Sequence, residues 1–234
     1  MQTASYREQR TRIETYFDRT AVQAWTHLTS DAPVGRIRAT VRAGRERMRA
    51  TLLDWLPSDL RGARLLDAGC GTGAFAVDAA RRGADVVAVD LSPTLVGLAR
   101  ERAPADLGAG RVQFLVGDMY EAASLGPFDY VVAMDSLIHY RLDDAVRVLG
   151  AFAGSCSESI AFTFAPRTRA LAAMHALGRL FPRGDRAPAI EPVKPTALHA
   201  ALDREPALSG WTTGRTRHVA SGFYQSQALE LVTR

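Results

Sequence analysis

Apolar positions in the first third of the chain recur at helical spacing. Ile13, Tyr16, Phe17, Ala21, Ala24, Trp25 and Leu28 form one stripe, broken at Asp31-Ala32-Pro33. A second amphipathic stretch places Ile37, Val41, Met48, Leu52 and Leu56 on one face and Arg38, Arg42, Arg45 and Arg49 on a neighbouring one, ending at Pro57. From residue 64 the pattern switches to strand and helix in alternation. Arg64–Ala68 reads as a short strand, and Thr72–Arg82 as a helix closed by Gly83. The unbroken apolar run Asp85–Val89 suits a parallel strand buried on both faces. Ser92-Pro93 is an N-cap and first-turn pair for a helix to about Arg102. Val112–Val116, Phe128–Met134 and Ser159–Phe164 follow as strands, with a helix over Asp143–Ala153. Residues 168–181 return to helical spacing, and the prolines between 182 and 206 oppose a long helix there. Trp211–Val219 and Phe223–Val232, separated by Ser221-Gly222, predict two closing antiparallel strands. The alternation predicts an α/β fold around a mostly parallel sheet.

Composition narrows the function classes. With 234 residues, 47% hydrophobic and 23% charged, the chain can bury a full core without disulfide or metal support. It has no apolar run of about eighteen residues, the length a membrane-spanning helix needs. The N-terminal residues lack the apolar centre of a secretion signal, and Cys70 and Cys156 form no Cys-x-x-Cys pair. A cytoplasmic, reducing location is expected. The net charge of +4 conceals a basic N-terminal section (+5 over 1–64), an acidic middle (−6 over 65–165) and a basic C-terminal section (+5 over 166–234). Most such charge is solvated surface; the sharper reading is a pair of flanks facing an anionic partner.

The segment Leu65-Leu66-Asp67-Ala68-Gly69-Cys70-Gly71-Thr72-Gly73 carries the most chemistry. A glycine turn between strand and helix lets a ligand approach the backbone. Gly69-x-Gly71-x-x-Ala74 with Asp90 downstream also satisfies a dinucleotide fingerprint. Asp67 argues against that ligand: a carboxylate at the turn repels a pyrophosphate and suits an ammonium or sulfonium group. Asp90 ends the second strand, placed for two ribose hydroxyls. Asp118 ends the third, placed for an adenine amino group, with Met119 against the ring. Any one of these acids alone reads as a strand-end turn former. Three in register with the glycine turn resemble the class I S-adenosylmethionine-dependent methyltransferases, which implies a Rossmann-like fold, a seven-stranded mostly parallel sheet with helices on both faces.

A narrower resemblance spans nearly the whole chain. Tyr16-Phe17-Asp18-Arg19-Thr20-Ala21 with Trp25, Val41-Arg42-Ala43-Gly44-Arg45, Phe128–Tyr140, Leu180-Phe181-Pro182-Arg183 and Ser221-Gly222-Phe223-Tyr224 are similar to the magnesium-protoporphyrin IX O-methyltransferases of bacteriochlorophyll biosynthesis. That resemblance implies methyl transfer from S-adenosylmethionine to one porphyrin propionate, giving the monomethyl ester and S-adenosylhomocysteine. It also implies an N-terminal helical arm or lid over residues 1–57. The methyltransferase domain would span 58–234, with 165–206 a substrate-side insertion. Delivery of the porphyrin by a magnesium-chelatase subunit is implied too. Magnesium is expected only inside the substrate, not as a protein-bound metal.

Motifs and resemblance together assign the site. Cofactor binding falls to Asp67, Ala68, Gly69, Cys70, Gly71, Asp90, Leu91, Asp118, Met119, Met134 and Arg42; the substrate wall falls to Tyr16, Phe17, Trp25, Tyr140, Arg167, Met174 and Phe181. Core packing is the ordinary role of any one of these aromatics. Arg42, Arg45, Arg167, Arg169 and Arg183 are candidate propionate partners, because a guanidinium grips a carboxylate bidentately. His139 is the candidate catalytic residue, with three roles open: orienting the propionate, which is favoured, deprotonating it, or approaching the magnesium. A helix over 168–181 would serve as pocket lid or as a contact with the surface of the inner or intracytoplasmic membrane. No Asn/Asp-Pro-Pro-aromatic tetrapeptide follows the fourth strand, so nucleic acid is not an expected partner. The competing functions are methylation of another small carboxylate, and a non-catalytic S-adenosylmethionine-binding partner protein.

Overall fold

The unbroken apolar runs become the middle of a twisted sheet. A computed structural model describes residues 2–20, 35–167 and 190–234. The strands are β1 (Arg64–Ala68), β2 (Asp85–Asp90), β3 (Arg111–Val116), β4 (Phe128–Ala133), β5 (Cys156–Phe164), β6 (Trp211–Ser221) and β7 (Tyr224–Thr233). Among the described residues they form one seven-stranded sheet in the order β3-β2-β1-β4-β5-β7-β6. β1 to β5 pair in parallel, while β7 runs antiparallel to both β5 and β6. The chain winds outward from β1 to β3, then crosses back to β4 on the other side of β1. The ends of β1 and β4 therefore flank the crevice where ligands of open α/β sheets bind.

Alternate residues of the central strands feed two cores. Leu66, Val87, Val131 and Ile160 point to one face, and Leu65, Val86, Val132 and Ala161 to the other. On the first face lie α1 (Ala4–Thr15), α6 (Leu142–Ala153) and α7 (Pro195–Leu202); on the second lie α2 (Arg36–Trp55), α3 (Ala74–Arg81) and α4 (Pro93–Arg102). The short α5 (Met119–Ala122) follows β3. Most boundaries fall within two residues of the sequence expectation, and three of the differences have a clear physical reason. β5 starts at Cys156, because exposed Ser157 and Glu158 interrupt its apolar run. α3 starts at Ala74, because Gly73 sits at φ 79 and closes the preceding turn. β4 stops at Ala133, two residues before Asp135 at φ 53. Within the described part of the proline-rich stretch lies the eight-residue α7, with Pro195 in its first turn where no N–H is needed.

Polar clasps hold α1. Thr3 caps its first turn by accepting the Tyr6 N–H at 3.0 Å. The Thr3 and Ser5 hydroxyls donate to the buried Asp144 carboxylate at 2.6 and 2.7 Å. After α1 the backbone widens into a π turn over Tyr16–Thr20. There Asp18 accepts from the Thr94 hydroxyl at 2.6 Å and from its N–H at 3.3 Å, at the N-terminus of α4.

Helix α2 is fastened to the β6–β7 hairpin. Arg47 donates to the Ala220 carbonyl at 2.7 Å, and Arg215 to the Trp55 carbonyl at 2.6 Å. Gly44 lies against the Tyr224 ring, where an added Cβ would come within 2.4 Å of Cδ1. Beyond β5, Val193 donates to the Ala165 carbonyl and accepts from the Arg167 N–H, both at 2.9 Å.

Gly44→Ala tests the fit between α2 and the hairpin. Helix propensity alone would favour alanine by about 1 kcal/mol. Overpacking against Tyr224 costs about 1–3 kcal/mol and the contact is below van der Waals distance, so the net effect is destabilising. Thermal unfolding should show Tm lowered by several degrees; a raised Tm would disprove the close approach.

Candidate active site

The glycine turn after β1 is shaped by its own backbone. Gly69, Gly71 and Gly73 adopt φ of 84, 54 and 79, a region that disfavours side chains. The Gly69 and Cys70 N–H groups both donate to the Val89 carbonyl, at 2.8 and 3.0 Å. A Cβ on Gly69 would lie 2.3 Å from the Ser136 Cβ. Ser136 in turn donates to the Ala68 carbonyl at 2.8 Å. The ends of β1, β2 and β4 are thus locked together around the turn.

A cavity of about 250 Å³ opens there. Its first half lies over the ends of β1, β2 and β3, with Gly69, Gly71, Asp90, Leu91, Gly117 and Met119 on the wall. Its second half lies over the ends of β4, β5 and β7, with Met134, Asp135, Arg45, Ala165, Tyr224 and Ser226. Tyr16, Phe17, Ser136, His139 and Tyr140 also line it. His139 ends a short 3₁₀ turn, Leu137–His139, and is largely buried, with the Phe17 ring edge-on at 5.9 Å.

The strand-end acids have different partners. Asp90 accepts the Gly71 N–H at 2.8 Å and the Ser92 N–H at 2.9 Å. Burial raises its pKa, against those backbone bonds. Asp67 is 2% exposed and lies beneath the turn rather than on the cavity wall. Its Oδ2 has no hydrogen-bond partner. Burial first, and the nearby Asp90 second, push its pKa up to about 7. A buried acceptor without a donor is costly, so Asp67 fits a bound cation, or a water ordered by one. Burial, with Asp67 and Asp90 close by, also raises the Cys70 thiol well above its ordinary range, so it stays protonated at neutral pH.

Asp118 is held by several donors. Its Oδ1 accepts from the Tyr6 hydroxyl at 2.6 Å and the Tyr120 N–H at 2.8 Å. Its Oδ2 accepts from Gln2 at 3.2 Å and Arg10 at 3.4 Å. The carboxylate thus anchors α1, and its chain neighbours Gly117 and Met119 line the cavity. Tyr6 also stacks on Tyr140, ring centroids 4.7 Å apart. Burial pushes both phenols well above their ordinary range, with Asp118 adding to each. The Tyr140 hydroxyl is buried without a partner at the cavity edge.

Other expected residues fall in different places. Ala68 ends β1 and Cys70 sits in the turn, both off the wall, and Arg42 and the exposed Arg167 also lie off it. Trp25, Arg169, Met174, Phe181 and Arg183 lie outside the described residues. Asp135 had no assigned role in the sequence, yet its carboxylate accepts from Arg45 at 2.8 Å, Tyr224 at 3.1 Å and Ser226 at 3.2 Å. The quoted Ser221-Gly222-Phe223-Tyr224 segment was the one available signal for the hairpin's part in the site. Among the described residues no group of histidines, cysteines and acids is arranged to hold a metal, and no helix is long and apolar enough to cross a membrane.

Comparisons with known proteins agree with this architecture. Residues 65–158 match the family described as methyltransferase domain, and residues 133–233 the one described as magnesium-protoporphyrin IX methyltransferase C-terminus. A magnesium-protoporphyrin O-methyltransferase of Rhodobacter capsulatus is 50% identical over 97% of this chain and 98% of its own length. One from Synechocystis is 29% identical over 96% of both chains. The crystal structure of the magnesium protoporphyrin IX methyltransferase from Synechocystis PCC 6803 with bound SAH superposes with a TM-score of 0.83 at 28% identity. It covers 96% of this chain and 99% of that one. A second structure of that enzyme, with bound SAM, gives 0.80 at 25% identity, covering 97% of each chain. With half its residues identical to one member over almost its full length, and the fold of another, the chain belongs to the magnesium-protoporphyrin IX methyltransferase family.

Proposed function

We propose that the protein transfers a methyl group from S-adenosylmethionine to a propionate of magnesium-protoporphyrin IX, leaving the monomethyl ester and S-adenosylhomocysteine. The observation that carries this reading is the division of one cavity into a half walled by glycines and Asp90, with the buried Asp67 beneath them, and a half holding a guanidinium. The first half suits a cationic nucleoside, the second a carboxylate.

When bound, S-adenosylmethionine supplies the methyl group, which passes to a propionate oxygen as its sulfur leaves neutral. The residues bind and align. Asp90 keeps lone pairs for ribose hydroxyls after taking the Gly71 and Ser92 N–H groups. Met119 and Leu95 offer apolar wall to the base. Asp67 supplies the charge that a cation needs beneath the turn. A carboxylic acid of ordinary pKa, about 4, is already ionised near neutral pH, so no strong base is required. Opposite charges cancel during transfer, so alignment and exclusion of water dominate. His139, at the cavity wall behind Phe17, orients the propionate by hydrogen bonding.

Residues 1–57 form the arm over the site and 165–206 the substrate-side insertion in this reading; Tyr16, Phe17 and Ile190 on the cavity wall support both. The proposal extends to a cytoplasmic enzyme in peripheral contact with a membrane and supplied by a magnesium-chelatase subunit, supported by the apolar character of the substrate. Purified protein mixed with S-adenosylmethionine and magnesium-protoporphyrin IX should yield porphyrin heavier by one methylene. Cofactor binding without that gain would overturn the substrate.

Asp67 gives a pH-dependent test. The folded apoprotein holds a proton on Asp67 that the unfolded chain releases near pH 4, so this group lowers stability as pH rises from about 4 to about 7. Asp67→Asn should therefore raise the apoprotein Tm at pH 8 and change it little at pH 4. In the wild type, S-adenosylmethionine affinity should climb as pH passes about 7, because the cation needs the ionised carboxylate. Calorimetry on Asp67→Asn should show that rise abolished; an unchanged pH dependence would exclude the role.

His139 is tested by substitution. If it orients, His139→Gln should keep most of kcat while His139→Ala loses about 100–1,000-fold, the range for one positioned hydrogen-bonding group. Equal losses in both variants, growing as pH falls, would instead assign it as base.

A further inference from the structure

The tip of the β6–β7 hairpin carries a side chain that core packing does not explain. Four large apolar side chains are exposed among the described residues, Ile37, Val116, Leu125 and Phe223. Of these four, Phe223 alone lines the cavity, and it is 51% exposed. A phenyl left in water forgoes the free energy of burial. At a cavity mouth it stands where a ligand can recover that free energy.

The backbone holds the ring there. Ser221 pairs with Tyr224, so Gly222 and Phe223 make a two-residue loop. Gly222 has φ 56, which suits the first central position of so tight a turn. A Cβ added to Gly222 would lie 2.5 Å from the Thr40 hydroxyl oxygen, so the tip rests on α2. Arg47 holds the strand just before it through the Ala220 carbonyl. Because β7 runs antiparallel to β5, with Gln227 opposite Phe164, the loop falls at the carboxyl ends of the parallel strands.

We propose that Phe223 is a substrate-contact residue: its ring is the outer wall of the site, on which the porphyrin macrocycle packs while one propionate reaches inward. The inference rests on the carboxyl-methylation reading above and adds where the ring system lies.

Size, position and chemistry support it. Pockets that enclose a drug-sized ligand measure about 300–1,000 Å³, and this cavity is about 250 Å³. Methyl donor and macrocycle do not both fit within it, so the flat partner extends past the opening. In the sheet order β7 stands four strand spacings from β2, about 19 Å at the usual spacing. A nucleoside held by Asp90 at the end of β2 and by the glycine turn thus lies far from the hairpin tip. The donor's remaining part is a charged amino acid, whereas the macrocycle is a flat apolar surface that an aromatic ring covers well. The apolar wall also continues outward along α2. Val41 lines the cavity, and Ile37, one turn earlier, is 55% exposed on the side of the helix that Thr40 presents to the tip.

Fluorescence titration of the full chain with magnesium-protoporphyrin IX tests the assignment. Phe223→Ala should weaken porphyrin binding about tenfold, the loss expected for part of a phenylalanine's burial. KM should rise by a similar factor with kcat nearly unchanged, because the contact is made equally before and during transfer. Phe223→Trp keeps a flat aromatic face and should bind at least as tightly as wild type. Tm, and S-adenosylmethionine affinity by calorimetry, should be unaltered in both variants. Equal porphyrin affinity in wild type and Phe223→Ala overturns the proposal. So does a matching loss of S-adenosylmethionine affinity, which would put Phe223 in the donor's own pocket. Sedimentation with phosphatidylglycerol vesicles adds a third outcome: Phe223→Ala that loses the vesicles yet keeps its porphyrin affinity would make the tip a membrane contact instead. A wild type that binds the methyl donor but never methylates the porphyrin defeats the underlying reading; a wild type that turns over beside an unaltered Phe223→Ala defeats only this one.

Discussion

A carboxylate removed from water must be met by donors or by a cation, because the desolvation of the charge is otherwise unrecovered. This protein carries four aspartates at or just beyond the ends of its first four parallel strands, and each meets that demand differently. Asp90 is met by backbone N–H groups of the glycine turn and of the next helix cap. Asp118 is met by α1, through Tyr6, Gln2 and Arg10. Asp135 is met by α2 and by the closing strands. Asp67 alone keeps an oxygen without a partner among the described residues. The two N-terminal helices and the antiparallel hairpin are thus tied to the sheet by strand-end acids, and the one carboxylate oxygen among them left unmet belongs to Asp67.

The sheet was legible because its central strands are buried on both faces, which writes them as unbroken apolar runs such as Val86 to Val89. The glycine turn was legible for a related reason: only glycine tolerates the left-handed backbone and the close approach of Ser136. Asp90 was placed on the wall by being at a strand end, a position that the local sequence defines.

Asp118 shows where such reasoning stops. Its strand-end position was right, but the direction of its carboxylate depends on Tyr6, more than a hundred residues away in a helix with little apolar character. Arg42 and Arg45 show the same limit within one helix. They lie three residues apart and share a sequence pattern, and only the packing of α2 around Gly44 and Tyr224 brings one of them to the cavity. Asp135 was invisible because its partners come from α2, β5 and β7, which no local periodicity joins.

The paired exit and entry at Ala165–Arg167 and Val193 have an evolutionary consequence. Two backbone hydrogen bonds hold Ala165 and Arg167 to Val193, and the entropic cost of joining two such points grows only slowly with the number of residues between them. Insertions and deletions between residues 167 and 193 should therefore cost the sheet less than changes of length within it, so that part of the gene is the one most open to drift in length.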